Sequence, residues 1–423
     1  MIREFNLKID WVLVFLLTLP TFYIAGTDLR SSQAIFFQYA AILLLAAMHV
    51  NKWLGGFLAW CTFQTIFFKS VQPGGQALHY LFYGLMIYQI IVFFSKSNET
   101  KKYAKAILFV LLFNVGWCFL QMKQIDPVMQ MTDFQIQSKF SEYSGFFALP
   151  AFLGNYAAAA LPLSFIVSYW FIPAFLIALF FSKSSFSIIS AYLAVLFFFW
   201  FKSRRAFWIL LAVTTAVSAF YVINFDMPTG QFERRAKIWR LIVNIAAKNQ
   251  FLGTGLGTYK NVVFGETEPR HRTIATNDPA FLKNFLTKEA FDNQKEDLGK
   301  HLQSMSAENF VISNVRVELV KNGIDFKQWS NAHNEYLEAF YETGIIGLIF
   351  IFGYIYDTFR RFWESGRKNI QCVALMASFI AILVVSFGHF PFHVARLAGP
   401  FLVIMALLEV SLIESRKVSQ EAW

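Results

Sequence analysis

Long apolar runs that carry almost no charge are the feature that most constrains the fold of this chain. Residues 104–121 and 371–389 are examples. A run of about 20 apolar residues can cross the hydrocarbon core of a bilayer as an α-helix. Such runs recur along most of the 423 residues, of which 56% are hydrophobic and only 15% are charged. The sequence therefore predicts an all-α integral membrane protein.

We predict about 12 transmembrane spans, with a large polar loop between the ninth and the tenth. They cover approximately residues 11–24, 33–50, 53–68, 77–94, 104–121, 149–168, 170–182, 186–201, 206–224, 336–357, 371–389 and 395–413. The first span lacks a cleavage site of small residues, which favours an uncleaved helix over a signal peptide. The predicted organisation is helices 1–9 in residues 1–224, the loop in 225–335, and helices 10–12 with a short tail in 336–423.

The distribution of Lys and Arg predicts the orientation of these spans. With the N-terminus inside, the inner segments carry 16 Lys and Arg, whereas the short outer segments carry 6. Such a bias marks the cytoplasmic side. The net charge of +10 is concentrated at span ends and does not indicate a nucleic-acid partner. We expect a multi-pass protein surrounded by the lipid bilayer, with the large loop on the outer side. If the membrane is a bacterial inner membrane, that side is the periplasm.

The large loop is expected to be mainly helical. Its first part, residues 233–243, has the pattern of an amphipathic helix on the membrane surface, and Arg235 and Trp239 share one face of it because they are four residues apart. The following Gly253-Thr254-Gly255-Leu256-Gly257 lacks the strand–turn–helix setting of a dinucleotide site. We interpret it as a tight turn at the membrane face.

His333 lies where the polar loop returns to an apolar run. If Ser330 or Asn331 caps the following helix, His333 falls in its first turn. Helix N-termini suit an anion such as a diphosphate and disfavour a protonated imidazole, so His333 would be neutral and available as a general base. The alternative interpretation is a capping or interfacial histidine without a chemical role.

Four segments resemble the O-antigen ligase/polymerase family of multispanning glycosyltransferases, in the order in which that family shows them. These segments are Gly145-Phe146-Phe147 with the helix after it, Ser182-Lys183-Ser184, Arg235-x-x-x-Trp239 with Gly253-x-Gly255-Leu256-Gly257, and His333-Asn334 followed after nine residues by Gly344-Ile345. The last two are the most specific in combination. The resemblance covers about residues 145–350 and implies a GT-C-like membrane fold.

The chain departs from the family pattern at three places. Ala148-Leu149 replaces a Gly-Asn pair, and Ile345 replaces a leucine. Lys183 replaces an arginine that the family is thought to use for a phosphate. A lysine still binds phosphate, but as a point charge rather than as a bidentate fork.

The resemblance implies transfer of a glycan from undecaprenyl diphosphate to an acceptor hydroxyl at the periplasmic face, with inversion and without a metal or other cofactor. Ligases of the family use the lipid A core as acceptor, polymerases use another glycan repeat, and relatives use Ser or Thr of a protein. Our first expectation is a ligase; a polymerase of O-antigen or exopolysaccharide and a protein O-oligosaccharyltransferase remain alternatives. A flippase or transporter is a more distant alternative, disfavoured because the spans carry charge only near their ends.

The same resemblance suggests roles for particular residues. His333 is the candidate general base, and Arg235 and Lys183 are the candidates for binding the diphosphate. The further candidates for substrate binding are Asn334, Glu342, Arg234 and Arg316. Glu338 and Glu342 lie close to hydrocarbon and should have partners, and either could orient His333 or pair with Arg235. His389 and His393 have metal-like spacing, but Pro391 lies between them, and we interpret them as an interfacial pair.

Overall fold

The computed structural model supports a helical membrane fold with a small sheet outside it. It describes residues 51–67, 81, 84–93, 95, 99–123, 143–147, 149–224, 230–261, 263–267, 272–276, 319–321, 324–328, 332–393 and 395–421. The predicted spans 11–24 and 33–50 lie outside these residues, and the span 77–94 lies partly outside them.

The α-helices of the described residues are numbered here in chain order. They are α1 (Lys52–Phe67), α2 (Gly84–Phe93), α3 (Thr100–Met122), α4 (Pro150–Val167), α5 (Ile172–Ser182), α6 (Ser185–Lys202), α7 (Arg204–Asn224), α8 (Gly230–Ala246), α9 (Glu335–Glu364), α10 (Ile370–Gly388) and α11 (Ala395–Glu421). Within the described ranges, six helices are long and apolar enough to cross a membrane: α3, α4, α6, α9, α10 and α11. A helix occupies each predicted span from residue 104 onward, as expected for a multi-pass membrane protein.

Helices α4, α6 and α10 pack against one another and form the centre of the core. The run of small residues in α4, Ala157 to Ala160, is completely buried, and small side chains let neighbouring helices approach closely. Gly154 shows the same effect, because a Cβ atom added there would lie 2.4 Å from the Cβ of Ser182. The short helix α5 therefore runs antiparallel to α4, with its end beside the start of α4.

Helix α9 packs antiparallel to α1. Near the start of α1, the ring of Trp53 would lie 2.3 Å from a Cβ atom added at Gly353. Farther along α1, the indole N–H of Trp60 donates to the carbonyl oxygen of Thr343 at 2.9 Å, which is nearer the start of α9. The far end of α9 is joined to α11 by an ion pair, in which Arg361 Nη2 lies 2.8 Å from Glu409 Oε2. This pairing satisfies two charges that would otherwise be costly at the edge of the hydrocarbon.

The expectation of a mainly helical loop is wrong for part of the described residues. Besides α8, they contain a four-stranded antiparallel sheet in the order β2-β1-β4-β3. Its strands are β1 (Val263–Thr267), β2 (Arg272–Thr276), β3 (Leu319–Lys321) and β4 (Ile324–Gln328). The physical reason is visible in β4, where apolar and charged residues alternate in Ile324-Asp325-Phe326-Lys327, and β-branched residues recur in the other strands.

Helix α8 packs on protein, which corrects the expectation that its apolar face lies on the membrane surface. Ile238, Ile242 and Ile245 are buried in a cluster with Tyr259 and Tyr341. The period of these positions is that of one helical face, so the amphipathic pattern was interpreted correctly but its partner was not. Helix α9 and the glycine-containing turn provide the covering surface.

Candidate functional site

A kink in α9 shapes the region around His333. Gly344 has φ 68° and ψ −168°, so the helical backbone is interrupted two turns after its start. An interrupted helix leaves backbone groups without their usual partners, and at membrane depth each of them needs another. Here the carbonyls of Tyr341 and Glu342 accept hydrogen bonds from outside the helix.

The glycine turn at residues 253–257 supplies two of those partners. The N–H of Thr254 donates to the carbonyl of Tyr341 at 2.9 Å, and the N–H of Gly255 donates to that of Glu342 at 2.9 Å. Gly253, Gly255 and Gly257 all have positive φ, which glycine adopts without strain. A Cβ atom at Gly253 would lie 2.3 Å from the carbonyl oxygen of Glu342. The expected tight turn is therefore present, and it binds the backbone of α9 at the kink through these hydrogen bonds.

The carboxylate of Glu342 adds a further hydrogen bond between α9 and the residues that follow the glycine turn. Its Oε1 accepts a hydrogen bond from the backbone N–H of Tyr259 at 3.0 Å, and its side chain is buried. Glu342 therefore ties the residues after the glycine turn to α9. This position favours a structural role for Glu342 over the expected contact with substrate.

His333 precedes the helix rather than lying in its first turn. The N-cap is Asn334, whose Oδ1 accepts from the N–H groups of Tyr336 and Leu337, each at 3.0 Å. Asn334 is buried, and capping accounts for its side-chain oxygen. His333 itself is in the left-handed region with φ 52°, which few residues other than glycine adopt. The expectation that Ser330 or Asn331 caps the helix is wrong, because Asn334 takes that position.

Both backbone groups of Ala332, the residue before His333, are fixed by side chains. The indole Nε1–H of Trp239 donates to its carbonyl at 3.1 Å, and its own N–H donates to Glu338 Oε2 at 2.9 Å. Ala332 is completely buried. Trp239 and Glu338 thus determine where the backbone presents His333, and Glu338 orients it indirectly.

The short segment 388–393 after α10, called the connector below, contacts each part of the site in turn. The carbonyl of Gly388 accepts from Arg235 Nη1 at 3.0 Å, and Nε2 of His389 lies 3.1 Å from Ser184 Oγ. The ring of Phe390 packs edge-on against that of His333, with centroids 5.0 Å apart. One segment of six residues therefore brings Arg235, Ser184 and His333 to the same end of the helix bundle.

Burial and one cation keep the histidines of this site neutral. Burial, followed by the charge of Arg235, lowers the pKa of His333 from 6.5 to about 4. The same causes, with a contribution from His333, lower the pKa of His389 to about 3. Burial also lowers the pKa of Arg235, whose guanidinium lies 5.3 Å from the centroid of the Phe186 ring. His333 is thus neutral as expected, although the main cause is burial rather than a helix dipole.

Lys183 lies at the rim of this region. It ends α5 in the left-handed conformation with φ 48°, and its side chain is exposed. The adjacent Ser184 caps α6 by accepting from the N–H of Ser187, and Ser187 in turn donates to Asn155 Oδ1 at 2.7 Å. A buried polar chain therefore connects α4 and α6 to His389, while Lys183 extends outward from its edge.

Two of the expected residues have no described side chain. The side chain of Arg234 and the whole of Arg316 lie outside what the structure describes. The segment Gly145–Phe147 docks on α3, where the N–H of Phe146 donates to Asn114 Oδ1 at 2.8 Å. That segment of the family resemblance has a structural position here.

Sequence analysis missed the role of the connector. It interpreted His389 and His393 as an interfacial pair, but the two histidines have separate partners: His389 contacts Ser184, and His393 lies 3.0 Å from Glu335 and 3.2 Å from Glu338. One sequence feature could have indicated this role: His389 and His393 follow a predicted span that ends on the same side of the membrane as His333. In the part of the chain that the structure describes, no group of three or more His, Cys, Asp or Glu could hold a metal ion.

Comparison with known proteins adds no family assignment. No protein-family model and no curated protein matches the chain.

Proposed function

We propose that this protein is a glycosyltransferase that moves a glycan from undecaprenyl diphosphate to an acceptor hydroxyl, with the lipid A core as the first candidate acceptor. The observation that carries the proposal is the convergence of Arg235 and His333 on the connector. Arg235 lies on α8 and His333 lies just before α9, almost 100 positions later, yet they are the residues that the family resemblance selects for donor and base.

Arg235 is proposed to bind the diphosphate. Its guanidinium is partly buried and oriented by the bond from Nη1 to Gly388, and a guanidinium has five N–H donors, so others remain for an anion. A cation whose hydration is already reduced interacts strongly with a bound anion. Lys183 at the rim would add a second, more mobile positive charge.

His333 is proposed to act as the general base. Neutral imidazole is the form that accepts a proton, and a pKa near 4 keeps His333 neutral at pH 7. A base with so low a pKa is weak in the empty site. A bound diphosphate would offset the charge of Arg235 and raise the pKa of His333, so donor binding would itself activate the base.

The proposed reaction is a direct displacement. The acceptor oxygen forms a bond to the anomeric carbon, its proton moves to His333, and the bond from the anomeric carbon to the diphosphate oxygen breaks with its electron pair. The leaving diphosphate gains one negative charge, which Arg235 and Lys183 would stabilise. Attack from the face opposite the leaving group inverts the anomeric configuration.

The proposal is tested with purified protein in lipid nanodiscs. An undecaprenyl-diphosphate glycan is supplied with lipid A core, with a free glycan repeat, or with a Ser/Thr-containing peptide, each in separate reactions. We expect a product in one reaction only, and its identity distinguishes ligase, polymerase and protein glycosylation. EDTA should leave the rate unchanged. If no acceptor yields product but labelled donor crosses the bilayer, the protein is a flippase instead.

A matched pair of variants distinguishes the loss of a diphosphate ligand from the loss of any positive charge on α8. Arg235→Ala removes the proposed diphosphate ligand, whereas Arg240→Ala removes an exposed arginine from the same helix. We expect loss of transfer only for Arg235→Ala. Equal rates for both variants would contradict the proposal.

A further inference from the structure

The connector is attached to the start of α9 by a cluster of one histidine and two glutamates. His393 Nδ1 lies 3.0 Å from Glu335 Oε2, and His393 Nε2 lies 3.2 Å from Glu338 Oε1. The backbone N–H of Phe392 donates to Glu335 Oε1 at 2.7 Å. Three contacts thus join two segments that flank the candidate site.

Both ends of this cluster lead to His333. Glu338 also accepts from the N–H of Ala332, the residue before His333, at 2.9 Å. In the other direction, Phe390 of the connector packs against the ring of His333. Any movement of the connector relative to α9 would therefore change both the backbone position and the packing of His333.

The geometry suits a charged His393. Each ring nitrogen faces a carboxylate oxygen, and only an imidazolium donates from both nitrogens. Glu335, Glu338 and, farther away, Glu342 are the charged groups of the described residues that act on this ring. Burial alone would lower the pKa of His393, but these carboxylates outweigh it and raise the pKa from 6.5 to about 10.

We propose that His393 is a positioning residue, which bridges Glu335 and Glu338, holds the connector on α9 and thereby fixes His333 for the reaction. The role in catalysis rests on the function proposed above. The three contacts that His393 and Phe392 make with Glu335 and Glu338, called the clamp below, are a property of the fold. His393 is about one-third exposed and touches no part of the proposed reaction directly, so its effect passes through Glu338 and Phe390.

The sign of the pH dependence follows from the raised pKa. His393 contributes its full charge below its ordinary pKa of 6.5, and this contribution weakens as the pH rises and is lost above about pH 10. The contacts also need ionised glutamates, so the clamp is lost in acid as well. Because the clamp holds Ala332 and Phe392 through their N–H groups, amide hydrogen exchange reports it without any assay of activity.

The test is hydrogen exchange with mass spectrometry on the full-length protein in nanodiscs. In His393→Gln we expect the amides of residues 332–334 and 389–393 to exchange about tenfold faster or more, as for the loss of a hydrogen bond to a charged group. His393→Arg keeps a cation and should retain most of the protection. The control Arg240→Gln removes an exposed charge on α8 and should leave both segments unchanged.

Wild-type protein provides a second measurement if His393→Gln does not fold. After correction for the intrinsic effect of pH, exchange in these two segments should accelerate between pH 7 and pH 10, while that of α4 stays constant. Unchanged exchange in His393→Gln, or no acceleration in the wild type, would overturn the clamp.

Kinetics decide the catalytic part separately. We expect His393→Gln to lower kcat by about tenfold with little change in the KM for the donor, and His393→Arg to recover most of the loss. If the wild type transfers no glycan, the proposed function fails while the exchange data still decide the clamp. Faster exchange with an unchanged kcat would remove His393 from the positioning of His333.

Discussion

The indole Nε1–H of Trp239 donates to the backbone carbonyl of Ala332 at 3.1 Å, across 93 residues of sequence. This bond attaches α8 to the residue immediately before His333. Arg235 lies one helical turn earlier on α8, and its bond to Gly388 adds a second attachment. The Arg-x-x-x-Trp segment therefore places a cation near His333 and also fixes the backbone that carries the histidine.

Arg235→Ala should reduce transfer to background while the protein still inserts, because the proposed diphosphate ligand is lost. Arg235→Lys should recover little if the contact with phosphate is bidentate. The measurement is initial rate against donor concentration, with binding of labelled donor measured in parallel. Donor binding equal to that of the wild type in Arg235→Ala would contradict the assignment.

Lys183 provides a related comparison, because the family pattern has arginine there. Lys183→Arg should keep or raise the rate, since the exposed rim has room for a larger side chain. Loss of transfer in this variant, with normal expression, would remove Lys183 from the donor site.

His333→Ala should lower kcat by about 100- to 10,000-fold, the usual contribution of a general base. His333→Gln should be nearly as slow, since the amide keeps hydrogen bonding but does not accept the proton. Labelled donor should still bind, because Arg235 is intact in both variants. Turnover close to that of the wild type in His333→Ala would leave His333 with a structural role only.

Much of the helical fold was predictable, because hydrophobic length and turn residues are local properties of the sequence. A helix occupies the predicted span at 371–389 with boundaries within one residue, as α10 shows. The four strands were not predicted, because each has only three to five residues and gives a weak local pattern. β1 pairs with β2 and β3 with β4 as neighbours in sequence, whereas β1 pairs with β4 across about 60 residues. Pairing over such a distance is not encoded in any local window.

The site was predictable in its residue types but not in its connections. The family resemblance selected Arg235 and His333, yet nothing local in the sequence indicates that the connector joins them. Asn334 was predicted to bind substrate, and the structure shows that its side-chain oxygen caps α9. A capping residue is indistinguishable from a polar ligand until the helix start is known. Glu342 was expected near substrate, whereas its contact with Tyr259 depends on the tertiary position of the glycine turn.

The predicted orientation is tested by fusing a reporter that is active only in the periplasm. Fusion near residue 280 should give activity, and fusion near residue 365 should give none, because the excess of Lys and Arg lies on the side of residue 365. The reverse pattern would place the candidate site in the cytoplasm, where the proposed donor glycan is not exposed.

Gly344→Ala should destabilise the protein by roughly 2 kcal/mol or more, because a non-glycine residue at positive φ is strained. The added Cβ would also lie 2.3 Å from the carbonyl oxygen of Phe251, which belongs to backbone and has little freedom to move. The measurement is the thermal unfolding midpoint in detergent. Gly116→Ala is the matched control: it lies in α3 with nothing within 4 Å of the added Cβ, and it should be neutral or stabilising. Equal midpoints for the two variants would contradict the role of the kink.

The acid limb of the pH–rate profile should distinguish the empty site from the donor complex. In the free enzyme, burial and Arg235 lower the pKa of His333 to about 4, so its imidazole stays neutral from alkaline pH down to that value. We therefore expect kcat/KM to fall only as the pH approaches 4, rather than near 6.5.

With donor bound, the diphosphate offsets the charge of Arg235, and the acid decrease of kcat should occur at a higher pH. Because both phosphates of the donor are esterified, the donor itself does not titrate in this range, and the residual activity of His333→Ala should lack the limb. An acid limb of kcat/KM at 6.5 would show that His333 is accessible to water in the free enzyme, and would contradict the buried site described here.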